Sequence, residues 1–349
     1  MPNQMFSLVT LLDKSLADRY YVRHIFRTYS KFDRLFNLID IRKYRAADNA
    51  AQVTVLDRFA MFAALYYEGV AYERLLDQLA GTRNLAFITS DLHYWSVFPD
   101  LIDLDLVRRK LDPSTNHYDR LFQMFDRLNI RHLITSYDCP ELRQIQALRP
   151  DLQTHVIELH IDPAIFTDYR LPKKYDVIIY GSRQPAAYPF RHRVSELLLR
   201  SRQLRVLCLD IKKEWYSRRI CGQGLARKIN RSWMGLSTLS NFDYLVGKYF
   251  EISACRSVVL GNMNAQGRAI FGDHYVHIES QMTDQQILSV VSEALADQQR
   301  LSEYADHMYE VMQTSYTQAQ NERKLFNLAD RIGREAEKAQ SVNRSVLAL

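Results

Sequence analysis

Short apolar runs alternate with longer amphipathic stretches along most of the chain. The runs fall at 6–12, 35–41, 85–89, 132–136 and 155–159, and then at 176–180, 204–209, 234–236, 257–260 and 275–278. Most are rich in Val, Ile and Leu with little polar alternation. Strands covered by helices on both faces have this pattern, so the spacing predicts parallel sheets in an α/β fold. Near the C-terminus the period changes. Thr283 and Asp284 stand as caps before QQILSVVSEALADQQ, in which Ile287, Val290, Val291 and Leu295 recur at helical spacing. From Thr283 to about Lys338 the chain reads as helices, and residues 336–349 are expected to fray.

The stretch HIDPAIFTDYRLPKK, residues 160–174, carries Pro163 and Pro172 and has no period. It lies between the two sets of strands and predicts a linker. A length of 349 residues fits two domains of roughly 150 each. The resulting division is 1–160, a linker at 161–174, a second domain at 175–335, and the tail. Two parallel α/β domains joined this way predict a cleft between the carboxyl ends of their sheets, where ligands bind.

Composition narrows the class further. Hydrophobic residues make up 47% and charged residues 25%, as in ordinary water-soluble domains. No apolar run reaches the roughly 18–20 residues of a membrane span. The N-terminal segment lacks a basic leader and cleavage site, and reads as a first strand and helix. Cys139, Cys208, Cys221 and Cys255 include no C-x2-C pair. They predict neither zinc nor a disulfide framework, and they fit a reducing cytoplasm. The net charge is +6, and the segment from Arg200 to Arg231 alone carries ten Lys or Arg against Asp210 and Glu214. That segment predicts a local basic face.

Candidate chemistry concentrates in DYLVGKYFEISACRSVVLGN, which opens at Asp243 and Tyr244. A helix starting near Gly247 would offer free backbone amides to an anion such as a diphosphate. Lys248 would lie beside it. Glu251, one turn further in, could accept two hydrogen bonds from a ribose diol. The same spacing also fits a surface helix with a solvated acid. Gly181, Ser182 and Arg183 follow an apolar run; the glycine allows close approach to the backbone and the arginine suits a diphosphate. Arg191 and Arg193 fall near the same place. In the first half, Ser90, Asp91 and His93 follow one run, and Asp91 or His93 could orient an acceptor hydroxyl or act as base. Ser136, Tyr137 and Asp138 end another. Lys212, Lys213, Arg218 and Arg219 surround Trp215 and Tyr216, a pattern that grips a polyanion while stacking on a ring. No G-x-G-x-x-G, P-loop, G-x-S-x-G or H-E-x-x-H is present, and no Asp-x-Asp stands near a predicted strand end, so no metal or tightly held cofactor is expected.

The stretch GKYFEISACRSVVLGN resembles the signature of group 1 glycosyltransferases with the GT-B fold, in particular the spore maturation protein CgeB-like branch. Four further stretches resemble that family in order: IELHIDPAIF, YDVIIYGSRQPAAYPFRHRVSELL, GDHYVHIESQMTDQQIL and HMYEVMQTSYTQAQNERKLF. Together they cover about Ile157 to Ile332. The resemblance implies two Rossmann-like domains facing across a cleft, the first for the acceptor and the second for a nucleotide sugar. It implies transfer of a sugar from a nucleotide-diphosphate donor to an acceptor hydroxyl, with retention of configuration. Glu251 would hold the donor ribose, while Arg183, Lys248 and the amides around Gly247 would stabilise the leaving diphosphate. The donor is the only small molecule required.

Two departures matter. Arg256 stands where the family usually has Gly, a change expected to alter the donor pocket. The wider group's Glu-x7-Glu reads here as Asp243-x7-Glu251. Arg256 therefore keeps open a non-catalytic nucleotide- or glycan-binding module. The basic segment implies an anionic acceptor: an acidic glycan, a lipid-linked glycan at a membrane surface, or nucleic acid. The last would make the chain a DNA-modifying glycosyltransferase of phage type.

Overall fold

The structure, a computed structural model, describes residues 6–10, 36–40, 45, 53–57, 61, 70–82, 84–89, 92, 117–209 and 222–347. They form two units. The first takes the described residues of Met1–Ser136, Glu141–Ile157 and Glu322–Leu349, and the second takes Tyr137–Pro140 and those of Glu158–Asn321. Among the described residues no helix is long and apolar enough to cross a membrane.

The first unit is built on strands β1 (Phe6–Thr10), β2 (Phe36–Asp40), β3 (Val53–Asp57), β4 (Leu85–Ile88), β5 (His132–Thr135) and β6 (Gln153–Val156). Their order is β2-β1-β3-β4-β5-β6, and every pairing is parallel. Helices α1 (Val70–Ala80), α2 (His117–Arg127) and α3 (Pro140–Leu148) belong to its connections. β3 was absent from the predicted strands, yet it is buried along its whole length between β1 and β4. The expected strand at 155–159 instead begins at Gln153 and ends at Val156. Ile157 still donates to the Thr135 carbonyl, and from Glu158 the chain enters the second unit.

The terminal helix α10 (Gln318–Leu347) departs from expectation twice. It continues through the segment expected to fray. Its stripe of Leu325, Leu328, Ala329 and Ile332 packs on Val53, Val55, Ala86 and Ile134 of the first sheet. The spacing announced an amphipathic helix but not which sheet it would cover.

The second unit has strands β7 (Tyr175–Ile179), β8 (Val206–Cys208), β9 (Ser232–Leu236), β10 (Val258–Gly261) and β11 (Val276–His277), ordered β11-β10-β9-β7-β8 and parallel throughout. Its helices are α4 (Pro189–Arg200), α5 (Gln223–Asn230), α6 (Lys248–Ala254), α7 (Ala265–Phe271), α8 (Asp284–Ala296) and α9 (Gln298–Ser315). Thr283 caps α8 in a reciprocal box with Gln286, as the sequence predicts. The expected linker joins this unit: the Ile161 amide donates to Tyr316, and Gln318 donates back to Ile161. From β7 the chain moves to β8 on one side and then to β9 on the other. The crevice beyond the carboxyl ends of β7 and β9 is therefore the topological switch point, where ligands bind in open α/β sheets.

One polar chain in the first unit makes its stability sensitive to acid. Arg331 on α10 lies 2.8 Å from His155 Nδ1, and His155 Nε2 lies 3.2 Å from His132 Nδ1. Arginine only donates, so His155 accepts at Nδ1, carries its proton on Nε2 and donates to His132. Burial, then His132, then Arg331 push His155 down to about 4. Burial also lowers His132, against Glu335 and together with Arg331. Both imidazoles bind protons more readily when unfolded, so stability falls as pH drops below the ordinary value of 6.5 toward about 4. Between about pH 7 and pH 5 the loss through His155 is on the order of 2 kcal/mol. Urea midpoints across that interval should fall in the parent protein and fall less in His155→Leu; equal slopes would refute this assignment.

Candidate functional site

The carboxyl ends of β7 and β9 are joined by one side chain. Arg191, on the first turn of α4, is 1% exposed. Its Nη1 donates to the Ser182 carbonyl at 3.2 Å and its Nη2 to the Thr238 carbonyl, one from each side of the switch point. Its guanidinium lies 4.0 Å from the centroid of the Tyr188 ring. No carboxylate pairs with it among the described residues, and its Nε is buried without a partner. Burial makes it hold its proton less firmly than an ordinary arginine.

Helix α6 brings a second cation to the same end of the sheet. It packs closely on β9 because position 235 is glycine; a Cβ there would lie 2.6 Å from Ile252. With Tyr249, Phe250 and Ile252 buried, Lys248 and Glu251 share the opposite face, three residues apart. Lys248 Nζ is shielded from solvent and has no hydrogen-bond partner. It lies 5.3 Å from the Tyr180 ring centroid and directly against Gly181, where a Cβ would be 2.2 Å from both Cε and Nζ. Gly181 also has φ of 76°, a region that L side chains rarely adopt. The glycine thus makes room for the lysine, where the sequence suggested room for a ligand. Burial, reinforced by Arg191 and opposed by Glu251, drops Lys248 well below the usual lysine range. Glu251 is half-buried, and its Oε2 accepts from the Tyr180 hydroxyl at 2.9 Å. Burial raises its affinity for a proton, against the Tyr180 hydrogen bond and Lys248.

Other predicted residues are placed differently. The helix end at Gly247 does not present a row of free amides: those of Tyr249, Phe250 and Glu251 donate to Val246 and Gly247 carbonyls. Gly247 is itself right-handed helical, so the winding begins before it. Arg183 leans toward Glu196 at 3.7 Å. The Ser182 hydroxyl accepts from the Gln184 amide. Arg193 holds the chain ahead of α8 through Ser280, Met282 and Asp284. Asp243 takes φ of 59° in a turn, and its carbonyl accepts from the Asn264 side chain, which also caps α7. Tyr244 stacks on Tyr137, with centroids 4.3 Å apart and planes at 9°. Asp138 donates its amide to Gln266 at 3.3 Å, and Ser136 ends the β5 run, half-buried.

Asp91, His93, Lys212, Lys213, Trp215 and the neighbouring Ser90, Tyr216, Arg218 and Arg219 lie outside the described residues. At the corresponding end of the first sheet, sequence reasoning missed Asp57, 3% exposed at the end of β3, and Thr89, whose hydroxyl is buried without a partner. The polar residue closing the apolar run VTVLD was the available signal. Arg256 does take the left-handed geometry that favours Gly, with φ of 49°. Its side chain, however, is held by Asp168 and Asp306, each at 3.1 Å, and lies 5.2 Å from the Tyr309 ring centroid. It lines a cavity of about 250 Å³ with Lys173 and Trp233, a set that includes neither Lys248 nor Glu251.

No family model and no curated protein matches the chain. Solved structures do. Sucrose-phosphate synthase from Thermosynechococcus elongatus has a TM-score of 0.58 at 11% identity, covering 95% of this chain and 99% of that one. Anabaena HepE, solved with UDP, has a TM-score of 0.53 at 10% identity, covering 97% and 99%. The pneumococcal O-GlcNAc transferase GtfA, solved with UDP and GlcNAc, has a TM-score of 0.50 at 12% identity, covering 84% of this chain and 59% of its own. This chain thus spans under two thirds of GtfA. None of these names the CgeB-like branch, which stays a resemblance of motifs. What the likeness shows is the architecture: two parallel-sheet α/β units of the GT-B glycosyltransferase fold.

Proposed function

We propose that this chain is a glycosyltransferase that moves a sugar from a nucleoside-diphosphate sugar to an acceptor hydroxyl. The observation that carries the reading is the unpartnered ammonium of Lys248 beside the carboxylate-free guanidinium of Arg191 at the switch point. Buried charges are ordinarily paired. Two cations share this pocket with one acid, and that acid is given to Tyr180. A diphosphate supplies the missing negative charge. UDP is the first nucleotide to try, since HepE and GtfA were solved with it.

In this reading Glu251 accepts hydrogen bonds from the donor ribose, and Lys248 takes the growing charge on the leaving diphosphate. Arg191 holds the two strand ends in place, and Arg183 reaches the phosphates on leaving Glu196. The two protein cations can themselves offset the charge of a diphosphate, which supports a metal-independent reaction. The group 1 resemblance supports retention of configuration. The acceptor oxygen bonds to the anomeric carbon as the bond to the diphosphate oxygen breaks, and the acceptor proton leaves with the diphosphate. The hold of Asp168 and Asp306 on Arg256 leaves that residue without bearing on a binding-only module. A cytoplasmic location, with the acceptor free or at a membrane surface, follows from the cysteine usage and the basic segment alone.

A thermal-denaturation screen over nucleoside diphosphates and their sugars tests the donor. A ligand at about a hundred times its Kd adds about 2.7 kcal/mol, and UDP or a UDP-sugar is expected to do so. No upward shift with any nucleotide would refute the reading. Lys248→Ala should lower kcat with the responding donor by about a hundredfold or more while weakening affinity for the bare nucleoside little, because the diphosphate charge grows in the transition state. An unchanged kcat would move the phosphate contact elsewhere. Glu251→Gln should weaken donor binding without unfolding the protein, and unchanged affinity by calorimetry would remove it from the site.

The acceptor is proposed to be anionic, on the strength of Lys212, Lys213, Arg218 and Arg219 around Trp215. Its kcat/KM should then fall steeply as salt rises from about 50 to about 200 mM. A flat profile, or one that survives charge reversal at these four positions, would reject an anionic acceptor.

A further inference from the structure

Tyr180 stands between the two charged groups of the proposed donor site. It follows β7 directly and precedes the left-handed Gly181, and its side chain is buried. Its hydroxyl occupies Glu251 Oε2, and its ring lies beside the Lys248 ammonium. Lys248 and Glu251 sit three residues apart on one helical face, a spacing that ordinarily lets a lysine and an acid pair. They make no ion pair here. We propose that Tyr180 is a positioning residue that prevents this internal pair, reserving the ammonium for the ligand's phosphates and Glu251 Oε1 for its hydroxyls.

The inference rests on the donor-site reading above and adds the means by which the site stays open to a ligand. An acid close to a solvent-shielded ammonium is attracted to it. If they paired, the site would lose both its phosphate contact and its hydroxyl acceptor. Tyr180 offers each an alternative: a hydroxyl donor for the acid and a π face for the cation. Among the described residues the charged and titratable groups around the pair are few. Arg191 from α4 faces Lys248 and Tyr180, and Cys255 lies at the end of α6 beyond Glu251. Arg191 repels the lysine, so it cannot take the role of Tyr180 in holding it. Oε1 has no hydrogen-bond partner among the described residues, and it is not among the shielded polar atoms.

The test is binding of inorganic pyrophosphate and of UDP, measured by calorimetry on the full chain. Tyr180→Phe keeps the ring and removes the hydroxyl, so Glu251 is freed to turn toward Lys248. Pyrophosphate affinity should fall by about tenfold, a coupling expected of neighbouring groups. Adding Glu251→Gln removes the competing charge, and Tyr180→Phe/Glu251→Gln should bind pyrophosphate within about threefold of Glu251→Gln alone. A side chain that merely filled the core would not be rescued by changing the acid. Wild-type affinity in Tyr180→Phe, or a double variant as weak as Tyr180→Phe, overturns the spacer role. If those results come with clear binding by the parent protein and a loss in Lys248→Ala, the donor site stands and only the inference fails. If the parent protein binds neither pyrophosphate nor UDP, both fail together.

Discussion

The second unit is organised around a guanidinium with nowhere to escape. Arg191 joins the Ser182 carbonyl after β7 to the Thr238 carbonyl after β9, at the point where the strand order reverses. Its two bonds tie together the segments that follow β7 and β9, so the arginine completes the sheet's end while adding a charge to it. Removing it would leave two carbonyls and a cavity the size of the largest fully buried side chain in the unit. The position of Lys248 then follows from packing. Ile252 is seated on Gly235, which sets the rotation of α6, and Gly181 leaves space for the ammonium.

The site is unusual in what it leaves unmatched. Several basic side chains outside it find acceptors: Arg193 reaches two carbonyls and Asp284, Arg205 reaches Asp176, and Lys173 caps the Ser232 and Arg256 carbonyls. Lys248 does not.

Much of this unit was legible beforehand. Its strands lie within a few residues of the apolar runs, since a strand buried on both faces leaves a plain mark in sequence. The cap at Thr283 was legible for similar reasons. Other features were not. Arg191 and Arg193 are two residues apart on the same helix turn; one is buried against carbonyls and the other tethers a surface loop, and nothing local separates them. The Tyr180–Glu251 contact joins residues 71 positions apart, beyond any periodicity. β3 was overlooked because a five-residue strand ending in an acid barely stands above its surroundings. The destination of α10 depended on which sheet lacked a cover, which is a property of the whole fold.

The shielding of the Lys248 ammonium has a consequence for how a ligand arrives. An exposed lysine must shed ordered water before it meets a phosphate oxygen, and that loss offsets much of the attraction. Here the dehydration has already taken place during folding, because Gly181 and the face of Tyr180 have replaced the water around Nζ. Under the reading proposed above, this arrangement is preorganised: little solvent around Nζ would reorganise as a diphosphate bound, and a neutral isostere would find nothing to compensate for entering.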